Sequence, residues 1–384
     1  MLRIKGLSIS NINGIEELNL EFNNGFNFIC GENGIGKTTI LDCIASSFNR
    51  HNKNVRKNVN STMGRWDILG EVNEQDTFFE GFILDDFLDS DAKSKRIRFK
   101  NRIKSKELIN FSINRTSQSN IFYGNQFEYI QTWMLENYYE EKNLSSKKFY
   151  NLKLAKECFT KLDYRIKFSK VIERVSDSHY PKRLADIYLE TPSGEIPFNF
   201  LSSGYRSCLL ILLGVIKQTE ITNAYKDVHL FDGVILIDEL DLHLHPEWQA
   251  KLIEILKWLV PNAQIIATTH SPHIIQVAKQ NEVIALSYLN QNNSEIINQR
   301  YVSNDYGFQG WTIEEILRDV MGMESSYSRR FSSILKEFDY AVSSFDTEKV
   351  KKLYEVIDEM LHPDNHLRKI LKIQISSLLE VYDD

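Results

Sequence analysis

The chain has 384 residues, 42% of them hydrophobic, and a formal net charge of −6 at neutral pH. That length suits one large α/β domain or a core carrying a substantial insertion, and the acidic balance excludes a protein that coats nucleic acid with its whole surface, though not a local basic patch. No run of about 18 apolar residues predicts a membrane helix, and four scattered cysteines without a C-x-x-C pair predict neither a zinc site nor a disulfide framework, which fits a cytoplasmic protein.

The first fifteen residues alternate through Leu2, Ile4, Leu7 and Ile9 as a strand does, and Lys5 and Asn13 break any signal-peptide pattern. Phe26-Asn-Phe-Ile-Cys30 is a second short strand, leading into Gly31-Glu-Asn-Gly-Ile-Gly36-Lys37-Thr38. Thr39 to Phe48 leaves as a helix with Ile40, Leu41, Ile44 and Phe48 on one face. Strand, glycine-rich loop and helix N-terminus together specify a phosphate loop for ATP or GTP. Asn33, Gly34, Ile35, Gly36, Lys37, Thr38 and Thr39 form it, with backbone N–H groups and a helix end directed at the anion. Lys37 is expected on the β- and γ-phosphates and the Thr38 hydroxyl on Mg²⁺.

Residues 49–194 are expected as an inserted α/β subdomain without a heptad run long enough for a coiled-coil arm. Lys93 to Lys106 carries eight basic residues in fourteen. Arg96, Arg98, Lys100, Arg102 and Lys104 alternate with Ile97, Phe99 and Ile103, so a strand here has one basic face. That face suits DNA or RNA phosphates, or it is a solvated surface balanced by Asp85, Asp86, Asp89 and Asp91. Lys147 to Ser176 is mostly helical in pattern, and Arg183 to Phe200 reads as strands returning to the core.

Phe200-Leu-Ser-Ser-Gly-Tyr-Arg-Ser207 precedes the apolar helix Cys208 to Ile216. Gly233 to Ile237 is an uninterrupted apolar run, as in a strand buried on both faces, and ends in Asp238-Glu239. Asp238 is expected to hold Mg²⁺ and Glu239 to polarise the attacking water. Pro246 suits the first turn of the next helix. His243 and His245 would share a face on a strand, but only Asp241 and Glu247 lie near as further ligands, so packing or hydrogen bonding is favoured over a metal site. Gln264 to Thr269 is a strand ending at His270, which can reach the γ-phosphate region; Val283 to Ser287 is another. The tail from Thr312 is helical, with later helices near 325–342 and 346–361 and a last one beyond Pro363. It shows no catalytic constellation, so any nuclease activity is expected from a second protein.

These motifs resemble an ABC-type ATPase of the SMC/RecF/OLD branch, over residues 1–48 and about 195–290. The resemblance implies an α/β fold with a mixed or parallel sheet flanked by helices, a core at 1–48 and 195–300 and a C-terminal helical region at 301–384. It implies ATP and Mg²⁺ as ligands and Lys37, Glu239 and His270 as the catalytic set, His270 being the switch histidine. It also implies that Ser202, Ser203 and Gly204 cap the γ-phosphate of an opposite protomer, with Asp241 in the loop facing that protomer. Leu201-Ser-Ser-Gly-Tyr205 departs from the usual Leu-Ser-Gly-Gly-Gln at its third and fifth positions. The metal-linking glutamine stays open among Gln75, Gln118 and Gln126. The Ile237–Gln249 and Thr268–His273 stretches and the tail Tyr306–Gly322 look like those of the ATPase subunits of Septu and retron-associated anti-phage systems, which work beside an HNH nuclease. A homodimer or higher even oligomer and an HNH-type partner are therefore expected, without a membrane component. The alternative is a RecF-like repair or maintenance ATPase binding DNA directly; a transporter ATPase fits least.

Overall fold

The computed structural model describes residues 1–48, 54–84, 97–100, 108–111, 126–143, 150–175, 183–221, 227–288, 296–299, 306–323 and 327–380. They form two compact units, Met1–Gly322 and Met323–Asp384.

The first unit begins with β1 (Leu2–Ile12) and β2 (Ile15–Glu21), an antiparallel hairpin turning at Asn13-Gly14. β3 (Phe26–Gly31) is buried along its whole length and delivers the glycine-rich loop, from which α1 (Lys37–Phe48) departs. β4 (Met63–Val72) and β5 (Gln75–Leu84) make a second hairpin. Asn73 and Glu74 hold φ of +50° and +67° in its two-residue turn, as the right-handed strand twist favours. The short strands β6 (Ile97–Lys100) and β7 (Leu108–Phe111) follow, then α2 (Gln126–Asn143) and α3 (Tyr150–Leu162). Next come β8 (Lys167–Val175), β9 (Arg183–Thr191) and β10 (Gly194–Pro197), an antiparallel sheet of their own in the order β10-β9-β8.

α4 (Ser203–Ile221), β11 (Val234–Ile237), α5 (Pro246–Leu259), β12 (Gln264–Thr268), α6 (Pro272–Val277), β13 (Val283–Tyr288) and β14 (Ile296–Gln299) complete the nucleotide half. The six-stranded sheet runs β14-β13-β3-β12-β11-β7, parallel except for β14. Alternation along its strands feeds two cores. Val234, Leu236, Ile266 and Ile284 face α1 and the five-stranded sheet β2-β1-β4-β5-β6, while Ile235, Ile237, Ile265 and Ala267 face the helices on the other side. The buried Gln264 side chain stitches the sheets: its amide oxygen accepts from Ile4 N at 2.7 Å and its NH₂ donates to Ile4 O at 2.7 Å, beside the β1 bulge at Ile4/Gly6. The unit ends in α7 (Ile313–Glu315), which continues as a π-helical turn at Ile316–Val320.

The second unit contains α8 (Arg329–Ser343), α9 (Thr347–Met360) and α10 (Leu367–Glu380) around a core that includes Phe331, Phe338, Val350, Ile357 and Leu371. Among the described residues no helix is long and apolar enough to cross a membrane.

Several elements differ from the sequence pattern. Residues 167–175 are a strand, not helix; a register shift between Phe168 and Lys170 breaks its two-residue period and hides the alternation. The 183–197 strands do return to the core, where Ile187 and Leu189 are buried, as part of a separate sheet with β8. Segment 49–194 supplies β4 and β5 to the antiparallel sheet and β7 to the parallel one.

Candidate nucleotide site

The carboxyl ends of neighbouring parallel strands β3, β12 and β11 bring the predicted residues together, where an open α/β sheet presents ligands. Gly31 at the end of β3 has φ of +138°, and a β-carbon there would sit 2.3 Å from Leu286 O, so only glycine lets the loop leave the sheet. Ile35 is buried beneath the loop, while Glu32, Asn33 and Gly34 are exposed. Thr39 is buried and its hydroxyl accepts from Asn13 Nδ2 at 3.0 Å, so it anchors the first turn of α1 to the β1–β2 turn.

The buried Lys37 ammonium donates to Gly31 O at 2.9 Å and Glu32 O at 2.7 Å. Burial lowers its pKa, and the charges of Asp238, Asp241 and Glu239 oppose that shift. Thr38 Oγ1 donates to Asp238 Oδ1 at 3.2 Å, so the two expected metal ligands are adjacent. Thr268, which the sequence reading missed because a threonine in a strand reads as an ordinary β-branched residue, donates from Oγ1 to the same Asp238 oxygen at 2.6 Å. Thr268 Oγ1 also accepts from Glu239 N at 2.7 Å, fixing the peptide that carries the expected water-polarising acid. Glu239 has φ of +48°, a left-handed conformation costly for a non-glycine residue.

His270 follows β12, whose end is held to β3 by Thr269 N donating to Ile29 O at 3.0 Å. The ring lies at the solvent edge; partial burial, then the Lys37 charge, lowers its pKa against the pull of Asp241, Glu239 and Asp238. Asp241 Oδ1 accepts from Thr269 Oγ1 at 2.7 Å and His270 N at 3.1 Å, so Asp241 is tied to the turn that carries His270 in its own chain.

Mg²⁺ fits this donor set. Among the described residues no cluster of three or more His, Cys, Asp or Glu could hold a metal, and Mg²⁺ beside phosphates needs only one or two protein oxygens. Thr38 and Asp238 would hold it, and it would supply charge neutralisation at the phosphates. His243 and His245 are not on a strand: His243 has φ of +64° in a turn, and His245 is the N-cap of α5 with Pro246 in its first turn.

Ser202 and Ser203 lie elsewhere on the unit, exposed at the start of α4, where Ser202 Oγ accepts from Tyr205 N at 3.4 Å. They line an open groove of about 680 Å³ with Gly204, Asp163, Tyr164, Arg165, Leu244 and Trp248, among others. No lining residue belongs to the phosphate loop. Tyr205, which stands where the family has glutamine, points inward: it is buried, donates to Phe159 O at 2.8 Å and meets Trp248 edge-on at 5.6 Å. Of the basic row, Arg98 and Lys100 lie on the edge strand β6, opposite Phe82 and Glu80; Arg96, Arg102 and Lys104 are outside the described residues. Gln75 sits at the β4–β5 turn, Gln118 is outside the described residues, and Gln126 opens α2 with its side chain outside them.

Residues 85–276 match the family profile described as "AAA domain, putative AbiEii toxin, Type IV TA system". The SMC head bound to the C-winged helix domain of ScpA superposes with a TM-score of 0.53 at 14% identity, covering 78% of this chain and 98% of that one, which establishes the ABC-type fold. "Retron Ec83 probable ATPase" of Escherichia coli is 26% identical over 46% of this chain and 31% of its own length. "Septu protein PtuA" of Bacillus thuringiensis is 38% identical, with 100% of both chains covered. The α/β ATPase core and this full-length likeness place the chain in the Septu PtuA family.

Proposed function

We infer that the chain is the ATP-binding, slowly hydrolysing regulatory ATPase of an anti-phage defence complex, working as a head-to-tail dimer or higher even oligomer beside a separate HNH-type nuclease in the cytoplasm. The observation that carries this reading is the separation of two half-sites. Lys37, Thr38, Asp238, Glu239 and His270 converge at the carboxyl ends of the interior strands β3, β12 and β11, whereas Ser202–Gly204 open onto a different groove. A second copy would complete each site. Lys37 and the loop N–H groups bind the phosphates, Glu239 orients and deprotonates water for attack on the γ-phosphate, and His270 contacts that phosphate. ADP and phosphate are the products. Contact from both protomers makes ATP favour the closed pair, and hydrolysis releases it.

The test is co-purification with the product encoded alongside, using wild type and Glu239→Gln, with mass and nuclease activity measured. A stable assembly whose nuclease responds to ATP supports the reading. A lone dimer with ATP-dependent, salt-sensitive DNA binding would replace it with the RecF-like one, for which the basic strand β6 at a sheet edge is the specific support.

A further inference from the structure

Gln249 is a buried amide that nothing in the hydrolytic chemistry uses, in the first turns of α5. Its Nε2 donates to Leu244 O at 3.1 Å. A carbonyl only accepts, so the NH₂ must face Leu244 and the amide oxygen is left to accept from the Ser271 hydroxyl. Ser271 is also buried; its Oγ accepts from His273 N at 3.1 Å, capping α6, and its N donates to Thr269 Oγ1 at 3.0 Å. Thr269 Oγ1 in turn donates to Asp241 Oδ1 at 2.7 Å. The interface loop, Asp241 to Leu244, is thus joined to the turn carrying His270 at both ends, by Asp241 at one and by Gln249 at the other.

The same loop abuts the signature segment. A β-carbon on Gly204 would lie 2.7 Å from His243 O, the Trp248 ring meets Tyr205, and His243 and Leu244 share the groove with Ser202 and Ser203. Packed backbone of this kind transmits displacement, because it has no slack to absorb it. We propose that Gln249 is a positioning residue that sets the His270 turn according to the state of the interface loop, so that hydrolysis answers to engagement of a second copy of the chain. This rests on the reading that Ser202–Gly204 meet a partner protomer's nucleotide. The side-chain bonds of Gln249 go to Leu244 and Ser271, neither in the phosphate loop, so Gln249 acts on turnover and not on ATP affinity.

The experiment compares full-length wild type, Gln249→Met, Ser271→Ala and the double variant for ATP affinity, kcat, KM and melting temperature, with rate measured against protein concentration. Each single variant is expected to lower kcat by roughly tenfold or more with affinity unchanged. The double variant should be no worse than the worse single one, as for two ends of one link, and the concentration dependence of the specific rate should flatten. Unchanged kcat overturns the proposal, as does a fall in kcat matched by equal losses of affinity and melting temperature. Should Gln249→Met fail to fold, Ser271→Ala decides by the same criteria. If wild type hydrolyses ATP no better than Lys37→Ala, the underlying functional reading fails, and the proposal with it; normal wild-type turnover with normal Gln249→Met turnover overturns the proposal alone.

Discussion

Gly204 lies directly against the backbone of His243: a β-carbon at position 204 would sit 2.7 Å from the His243 carbonyl oxygen and 3.0 Å from the Trp248 ring. The glycine at position 204 is therefore required by this chain's own packing. A backbone oxygen cannot yield as a flexible side-chain tip does. Gly204→Ala should cost about 1–3 kcal/mol through overpacking and depress ATP turnover, with ATP binding at the phosphate loop retained. Thermal melting combined with a nucleotide-binding titration checks both parts.

Tyr205 tests the same segment from the other side. Restoring the glutamine usual at this position would bring turnover nearer to the family's if the residue faced a partner. The structure buries it fully, with its hydroxyl donating to Phe159 O at 2.8 Å. Tyr205→Gln should therefore destabilise by about 2–4 kcal/mol without raising the ATPase rate. Tyr205→Phe should cost about 1 kcal/mol, the net worth of one lost hydrogen bond, since Phe159 O still accepts from Asp163 N at 3.1 Å. Denaturant melts of the three proteins give the ordering.

The four cysteines supply a chemical check on the core. All are buried. Burial pushes the Cys30 thiol up to about 12, which the nearby Lys37 charge only partly opposes, and burial raises Cys43 and Cys158 as well. Thiolate is the reactive form, so native protein should be inert to a thiol reagent at neutral pH and react at all four cysteines once unfolded. Fast labelling of any of them in native protein would contradict the packing around β3, α1, α3 or α4.

Much of the site was legible because its chemistry is local. The phosphate loop, the Asp238-Glu239 strand end and the His270 strand end each announce themselves within a few residues, and a parallel sheet aligns such ends without further information. What the pattern could not carry were contacts between segments distant in sequence. Thr268 looks like any strand threonine until Asp238 and Glu239 are placed beside it. Gln249 looks like a polar helix residue until Ser271 closes on it. The inward turn of Tyr205 depends on Phe159 and Trp248, and the membership of β7 in the core sheet on pairing with β11. Strand β8 was misread for a local reason, its bulge, which removes the alternation that identifies a strand.

His270 gives a prediction in pH. Partial burial first, and the Lys37 charge second, hold its pKa below the ordinary 6.5. In the interval between the lowered folded value and 6.5 the unfolded chain binds more protons at this position than the folded one, so stability rises with pH through that interval and is lost as pH falls through it. The effect is small because the ring is at the solvent edge. His270→Asn removes the titrating group, so the stability of wild type relative to this variant should decline on acidification from about pH 7.5 to about pH 5. A flat difference across melts in that range would mean that His270 titrates normally and that neither its burial nor Lys37 acts on it. The decline, if found, means that the neutral ring is favoured over the charged one in the nucleotide-free chain, because burial and the Lys37 charge both disfavour its protonation.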